Sequence, residues 1–131
     1  MKKILFVCVE NSCRSQMAEA FAHINGGEKL GAYSAGSKAS GKVNDKAIMA
    51  MQALGYDLNT HHSKSLQEIP NIDYDYAIMM GCGDECPDVR AKQRLDWAIP
   101  DPKNMQPLDF HKVRDMIETR VSVLLQATGS K

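Results

Sequence analysis

At 131 residues the chain has the length of one ordinary domain, and 44% hydrophobic residues suffice for a core without disulfide or metal staples. Its 16 basic and 16 acidic residues cancel and are spread along the sequence, leaving no electrostatic footprint for nucleic acid or an anionic membrane. No apolar run approaches the ~18 residues that span a bilayer, and the stretch after Met1, Lys2 and Lys3 is too short for a signal peptide and lacks a cleavage site. A cytoplasmic, monomeric protein in a reducing compartment is expected. The four cysteines, Cys8, Cys13, Cys82 and Cys86, then read as catalytic, redox or metal-binding groups, not structural bridges.

In chain order, Lys2 to Cys8 has the pattern of a buried strand, and Ser15 to Ile24 carries Met17, Ala18, Phe21, Ala22 and Ile24 at helical spacing, stopped by Asn25, Gly26 and Gly27. Lys29 to Gly36 reads as a second strand. Asn44 is the expected N-cap of a helix whose face is Ala47, Ile48, Met51 and Leu54, closed by Gly55. Tyr76 to Met80 is a third strand buried on both faces, and Leu95 to Ile99 a short fourth one cut by Pro100. Phe110, Val113, Met116, Ile117, Val121, Leu124 and Leu125 mark a last helix from about Leu108 to Ala127. Four strands interleaved with helices predict an α/β three-layer sandwich: a four-stranded parallel sheet flanked by helices on both faces. Ligands of such sheets bind beyond the carboxyl ends of the strands, where strand order reverses.

The loop there is Cys8-Val9-Glu10-Asn11-Ser12-Cys13-Arg14-Ser15, between the apolar run Ile4 to Val7 and a helix opening near Gln16. A cysteine leaving a strand, an arginine six residues on and a helix N-terminus behind them describe an oxyanion cradle. Loop N–H groups converge on a tetrahedral anion, Arg14 grips two of its oxygens, and the helix end adds positive potential that also favours a thiolate. Glu10, Asn11, Ser12, Cys13 and Arg14 are the expected substrate-binding positions. Short polar Asn11 supports the loop conformation, and Ser15 can donate a hydrogen bond to the Cys8 thiolate. Cys13 reads as a packed thiol, with a protective Cys8–Cys13 disulfide as the open alternative. Glu10 beside an anion site would repel substrate unless it faces solvent or pairs with a cation; an exposed position is expected.

Continued through Gln16, Met17, Ala18 and Glu19, this loop resembles the phosphate loop of the low-molecular-weight tyrosine phosphatase fold, and its continuation is more similar to the arsenate reductase branch than to the phosphatases. The likeness extends to Tyr33–Gly36, Ala47-Ile48, Gly55–Leu58, His62–Lys64, Met80–Pro87, Trp97 and Asp101-Pro102, so residues 1–131 are expected to form a single domain of this type. The resemblance implies that Cys8 attacks arsenate, that Asp101 is the general acid, and that Cys82 then attacks Cys8, releasing arsenite. Cys86 would take over the disulfide and pass it to an external thiol reductant, with thioredoxin the first expectation and glutaredoxin or a small thiol the alternatives. No bound cofactor is expected. A phosphatase hydrolysing a cysteinyl-phosphate needs only Cys8, Arg14, Asp101 and water, and is the alternative function; a non-catalytic anion-binding or redox-sensing module is the third.

Three departures from the family pattern qualify this. The thioredoxin-coupled branch spaces its last two cysteines further apart than Cys82 and Cys86, which leaves the relay order open. Side chains four apart on a helix also sit too far apart for a disulfide, so a Cys82–Cys86 bond is expected to remodel the segment from Gly81 to Arg90. Some relatives hold a potassium ion with groups matching Asn11, Glu19 and Ser34; here Lys64 is expected either to supply a built-in ammonium there or to be solvated. Lys103 and Asn104 stand where the phosphatases usually carry tyrosines that frame an aromatic substrate. A metal site is not expected, because His61 and His62 with a C-x3-C pair lack zinc spacing.

Overall fold

The computed structural model describes residues 1–82 and 87–129. Among the described residues the order is β1 (Lys2–Cys8), α1 (Arg14–Gly26), β2 (Leu30–Gly36), α2 (Asp45–Gln52), β3 (Tyr74–Met79), β4 (Ala91–Asp96) and α3 (Pro107–Thr128). The sheet is parallel throughout, in the order β2-β1-β3-β4. The chain thus leaves β1 towards one side and returns on the other, so the strand order reverses at the carboxyl end of β1. Cys8 is the last residue of β1, opposite Gly36 of β2, and Val7 lies opposite Met79 of β3.

Period-two alternation divides β1 between two apolar clusters. Ile4, Phe6 and Cys8 pack with Met17, Phe21, Met51, Phe110 and Ile117 from all three α-helices. Leu5 and Val7 join Ala35, Tyr74, Ala77, Met79 and Cys82 on the opposite face. The cover expected on both faces is uneven among the described residues: the second face carries the short 3-10 turn Leu66–Glu68 and the chain around Ile69, Ile72 and Val89. At about 25 cal/mol per Å² of apolar surface, a side chain such as Phe6 or Phe21 contributes roughly 2–3 kcal/mol, and these rings fix α1 on the sheet.

Several predicted boundaries move for physical reasons. β4 begins at Ala91 and ends at Asp96, whereas the apolar pattern pointed to Leu95–Ile99. As a sheet edge, β4 is mostly exposed and spelled by Lys92, Gln93 and Arg94, so its amino half carries no apolar signal. Trp97 lies past the strand and is buried against Phe6, ring centroids 6.1 Å apart. β3 starts two residues earlier than expected, at Tyr74. Ile24, Leu54 and Met116, assigned to apolar faces, are exposed. The Asn44 cap is present, its side chain accepting from Lys46 N at 2.8 Å.

Candidate active site

Between β1 and α1 the chain turns through Val9 to Cys13 and is held from outside by its carbonyls. Ser37 N donates to Cys8 O (3.2 Å), Lys38 N to Val9 O (2.8 Å), Ser40 N to Glu10 O (3.0 Å) and Asn44 N to Ser12 O (3.0 Å). With the carbonyls taken from behind, the loop's N–H groups are its polar face towards an anion. Gly36 makes this possible: a Cβ there would lie 2.5 Å from Val9 O and 2.9 Å from Asn11 N. The N-cap of α1 is Cys13, which makes no side-chain capping bond, so the first-turn N–H groups are also left to an anion. Ser15 lies inside the helix, and its hydroxyl therefore serves another partner.

That partner is the Cys8 sulfur, 2.8 Å from Ser15 Oγ. The proton's direction follows from the neighbours. Asn11 Oδ1 accepts from Lys64 N (2.8 Å) and Gln16 Nε2 (2.8 Å), which fixes the amide and turns Nδ2 to donate to Ser15 Oγ at 2.8 Å. Ser15 thus accepts from Asn11 and directs its own O–H at Cys8 Sγ. Asn11 N donates to the same sulfur at 3.2 Å. Asn11 has a positive φ of 51°, the left-handed conformation asparagine tolerates best among residues with a Cβ. At Cys13, chiefly burial raises the thiol to about pKa 11, partly offset by a hydrogen bond from Ser12 Oγ at 3.8 Å. Cys8 and Cys13 are both free.

Cys8, Val9, Glu10, Ser12, Cys13, Arg14, Asp101 and Lys103 line one cavity of ≈ 170 Å³. Arg14 is buried, donates from Nη1 to Ile99 O at 3.1 Å and presents Nη2 to Asp101 Oδ2 at 3.9 Å. Its guanidinium lies over Gly81, where a Cβ would run into Nη1. Asp101 is exposed and receives a hydrogen bond from Lys103 N at 3.1 Å. Glu10, its side chain 37% exposed, also pairs with Lys103 Nζ through both oxygens, at 3.1 and 2.9 Å, which joins the loop to the Asp101 segment. Lys46 Nζ fastens that segment further by donating to the carbonyls of Lys103 and Met105.

Behind the loop lies a buried carboxylate. Glu19 Oε1 accepts from Ser34 Oγ at 2.6 Å, and Lys64 Nζ stands 3.7 Å from that oxygen and 3.0 Å from His62 O. Oε2 faces His23 Nε2 at 3.2 Å and His61 Nδ1 at 3.5 Å. Burial pushes the Glu19 pKa up, yet hydrogen bonds from His23 and Ser34 and the charges of Lys64 and His61 outweigh it and hold Glu19 below the usual carboxylate range. His61 is held below the usual imidazole range, chiefly by burial, with Glu19 partly offsetting this. Gln16 connects this group to the loop. Its Nε2 faces Asn11 O, Asn11 Oδ1 and His62 O, so Oε1 accepts from His61 Nδ1 at 2.9 Å and Tyr56 OH donates to His61 Nε2 at 2.7 Å.

Thus Cys8, Glu10, Ser12, Cys13, Arg14 and Asp101 surround one cavity, Asn11 and Ser15 stand behind its sulfur, and Glu19, Ser34 and Lys64 form a neighbouring group joined to it by Asn11. Cys82 is buried with Leu5 and Val7 under the opposite face of β1 and is disulfide-bonded. Cys86 lies outside the described residues, as do residues 83–85 of the segment from Gly81 to Arg90 that is expected to respond to oxidation. Gln16, His61, Gly81 and Lys103 were not singled out as supports of the site. Gln16 reads as an ordinary helix residue, and the Gly81 contact with Arg14 spans 67 positions, beyond any local pattern.

The sequence pattern of the family described as low molecular weight phosphotyrosine protein phosphatase matches residues 3–131. The chain is similar to a glutaredoxin arsenate reductase of Synechocystis sp., 38% identical over 128 residues, covering 95% of this chain and 97% of that one. Among solved structures it is similar to an arsenate reductase in the phosphate binding state, with TM-score 0.88 and 37% identity, covering 97% and 98% of the two chains. It is also similar to a thioredoxin-dependent arsenate reductase of Corynebacterium glutamicum, with TM-score 0.79 and 27% identity over 97% of this chain and 61% of that one.

Proposed function

We propose, given that the chain belongs to the low molecular weight phosphotyrosine protein phosphatase family, that it is an arsenate reductase. One observation carries the choice within the family. The residue before Cys82 is Gly81, and Arg14 rests on it, so a cysteine-bearing segment begins at the oxyanion clamp. Hydrolysis of a phosphoester has no use for thiols there; reduction requires them.

The Cys8 thiolate, addressed by Ser15 O–H and Asn11 N–H, attacks arsenic(V) held by the loop amides and Arg14. An S–As bond forms, and an arsenate oxygen leaves as water with a proton from Asp101. The Cys82 thiolate then attacks Cys8 Sγ. The S–As bond breaks with its electron pair staying on arsenic, arsenite departs, and the two cysteines give up two electrons as a disulfide. Cys86 exchanges with Cys82 and frees Cys8. The chemistry calls for an external dithiol, and the relatives use thiol proteins of the glutaredoxin and thioredoxin types. We assign thioredoxin to this chain, because two cysteines beyond Cys8 suffice to carry the disulfide away from the loop. Lys64, with its ammonium against Glu19 and Ser34, serves as the built-in cation that neutralises the buried carboxylate.

The phosphatase reading is favoured by the shared loop and Asp101, and slow turnover of a small aryl phosphate is expected. The Glu10–Lys103 pair at the cavity argues against an aromatic groove. Arsenate-dependent NADPH oxidation, with thioredoxin and its reductase or with glutathione, glutaredoxin and glutathione reductase, tests the proposal. Wild type should turn over, and Cys82→Ser should lose activity with both systems. Rapid aryl phosphate hydrolysis without any arsenate-dependent oxidation would make the chain a phosphatase.

A further inference from the structure

We propose that Glu19 Oε2, His23 Nε2 and His61 Nδ1 form a binding site for a divalent transition-metal ion, with Zn²⁺ the best fit. The site lies outside the oxyanion cavity, and its test does not depend on arsenate reduction.

The donor atoms already stand close to the required geometry. A tetrahedral zinc ion with bonds of about 2.0–2.2 Å spaces neighbouring ligand atoms roughly 3.3–3.6 Å apart. Here the carboxylate oxygen is 3.2 Å from His23 Nε2 and 3.5 Å from His61 Nδ1, and all three atoms lie within 4.8 Å of one another. The two rings approach edge to face at 81°, centroids 6.0 Å apart, so only a small inward rotation closes the triangle. Two imidazoles and one carboxylate suit zinc, cobalt and nickel, and a fourth position is left for water.

The two oxygens of Glu19 face different surroundings. Oε1 is occupied by Ser34 Oγ and by Lys64, whose ammonium is also tied to His62 O. Oε2 faces the two histidines. The carboxylate is ionised and His61 is neutral near pH 7, the states in which they ligate. His23, 41% exposed, opens the site to solvent, while Glu19 and His61 are held in place from behind. The ammonium of Lys64 opposes a second cation and limits its affinity.

Metal binding has a consequence for the loop. The Nδ1 of His61 now donates its proton to Gln16 Oε1; to ligate, it must offer a lone pair instead. The proton then moves to Nε2, where Tyr56 OH, 2.7 Å away, changes from donor to acceptor and becomes the orienting partner usual for a ligating histidine. Net charge is unchanged by this exchange, but Gln16 loses a donor while its other end still holds Asn11. An occupied site therefore loosens the support of the anion loop.

The test is titration of the full-length protein with Co²⁺, followed by absorption, and with Zn²⁺, followed by calorimetry, on wild type, His23→Ala and His23→Gln. Circular dichroism checks the fold of the exposed-position variants. Wild type should bind one Co²⁺ with ligand-field bands but no sulfur-to-cobalt charge transfer. His23→Ala and His23→Gln should weaken binding at least about tenfold, and Zn²⁺ should weaken inorganic phosphate binding in wild type only. Equal affinity in the His23 variants, binding dominated by sulfur charge transfer, or no binding by wild type would each overturn the proposal.

Discussion

Replacing Gly81 with alanine tests whether the cysteine segment and the anion clamp are physically joined. Gly81 has φ +84°, and any Cβ there forces a left-handed backbone that costs about 1–2 kcal/mol. It would also run into Arg14 Nη1 and lie 3.0 Å from Ile99 O, the carbonyl Arg14 holds. Arg14 is the end of a flexible chain, so it gives way cheaply in stability and expensively in function. Losing its charge-assisted bonds to the anion removes roughly 1.5–3 kcal/mol, a loss of about ten- to a hundredfold in phosphate affinity. Gly55→Ala is the control: its φ is +83°, but nothing lies within 4 Å of the added carbon. Calorimetric titration with phosphate and thermal unfolding of both variants separate the two costs. Both should lose similar stability, and only Gly81→Ala should lose phosphate. Equal phosphate affinity in the two variants would refute the contact as a functional one.

Cys13, raised by burial from 9.0 to about 11, keeps its proton in the fold while the unfolded chain ionises first. Its contribution is therefore complete below about pH 9 and lost as pH rises towards 11, up to about 3 kcal/mol; urea unfolding of wild type and Cys13→Ala across that range should show a steeper alkaline loss in wild type, and parallel curves would contradict this. On the acid side His61 is depressed, so the unfolded chain takes its proton first and stability falls as pH drops below about 6.5; a flat profile from pH 7 to 5 would refute the burial argument. Lys103→Ala strips Glu10 of its partner beside the anion cavity and should weaken phosphate binding several-fold, with rescue by Glu10→Gly in the same chain. No rescue would mean that Lys103 acts on the anion directly.

Much of the fold was legible because the decisive elements are buried. The continuous run of β1 and the apolar stripe of α3 could mean little else, and the cap at Asn44 is local chemistry. β4 was displaced because an edge strand of Lys92, Gln93 and Arg94 has nothing apolar to announce it, whereas Trp97 just beyond it does. In the site, Cys8, Arg14 and Ser15 follow from residue type and spacing, whereas Asp101, in good turn sequence between two prolines, stands out only through the family resemblance. Glu10 showed only a conflict, since its resolution, Lys103, is 93 residues away. His61 shows no metal-ligand spacing along the sequence, because Glu19 and His23 lie 42 and 38 positions away and reach it only once α1 is packed.

Cys8 receives arsenate, and Cys8 and Cys82 together supply the two electrons of its reduction by forming a disulfide. A single turnover tests this most directly: fully reduced Cys86→Ser protein is mixed with arsenate in the absence of any external thiol, quenched with acid and alkylated, and its peptides and released arsenic are measured together. The account predicts one arsenite per chain and a Cys8–Cys82 disulfide formed at the same rate. Free thiols at both positions with arsenate unchanged, or arsenite released without that disulfide, would contradict it.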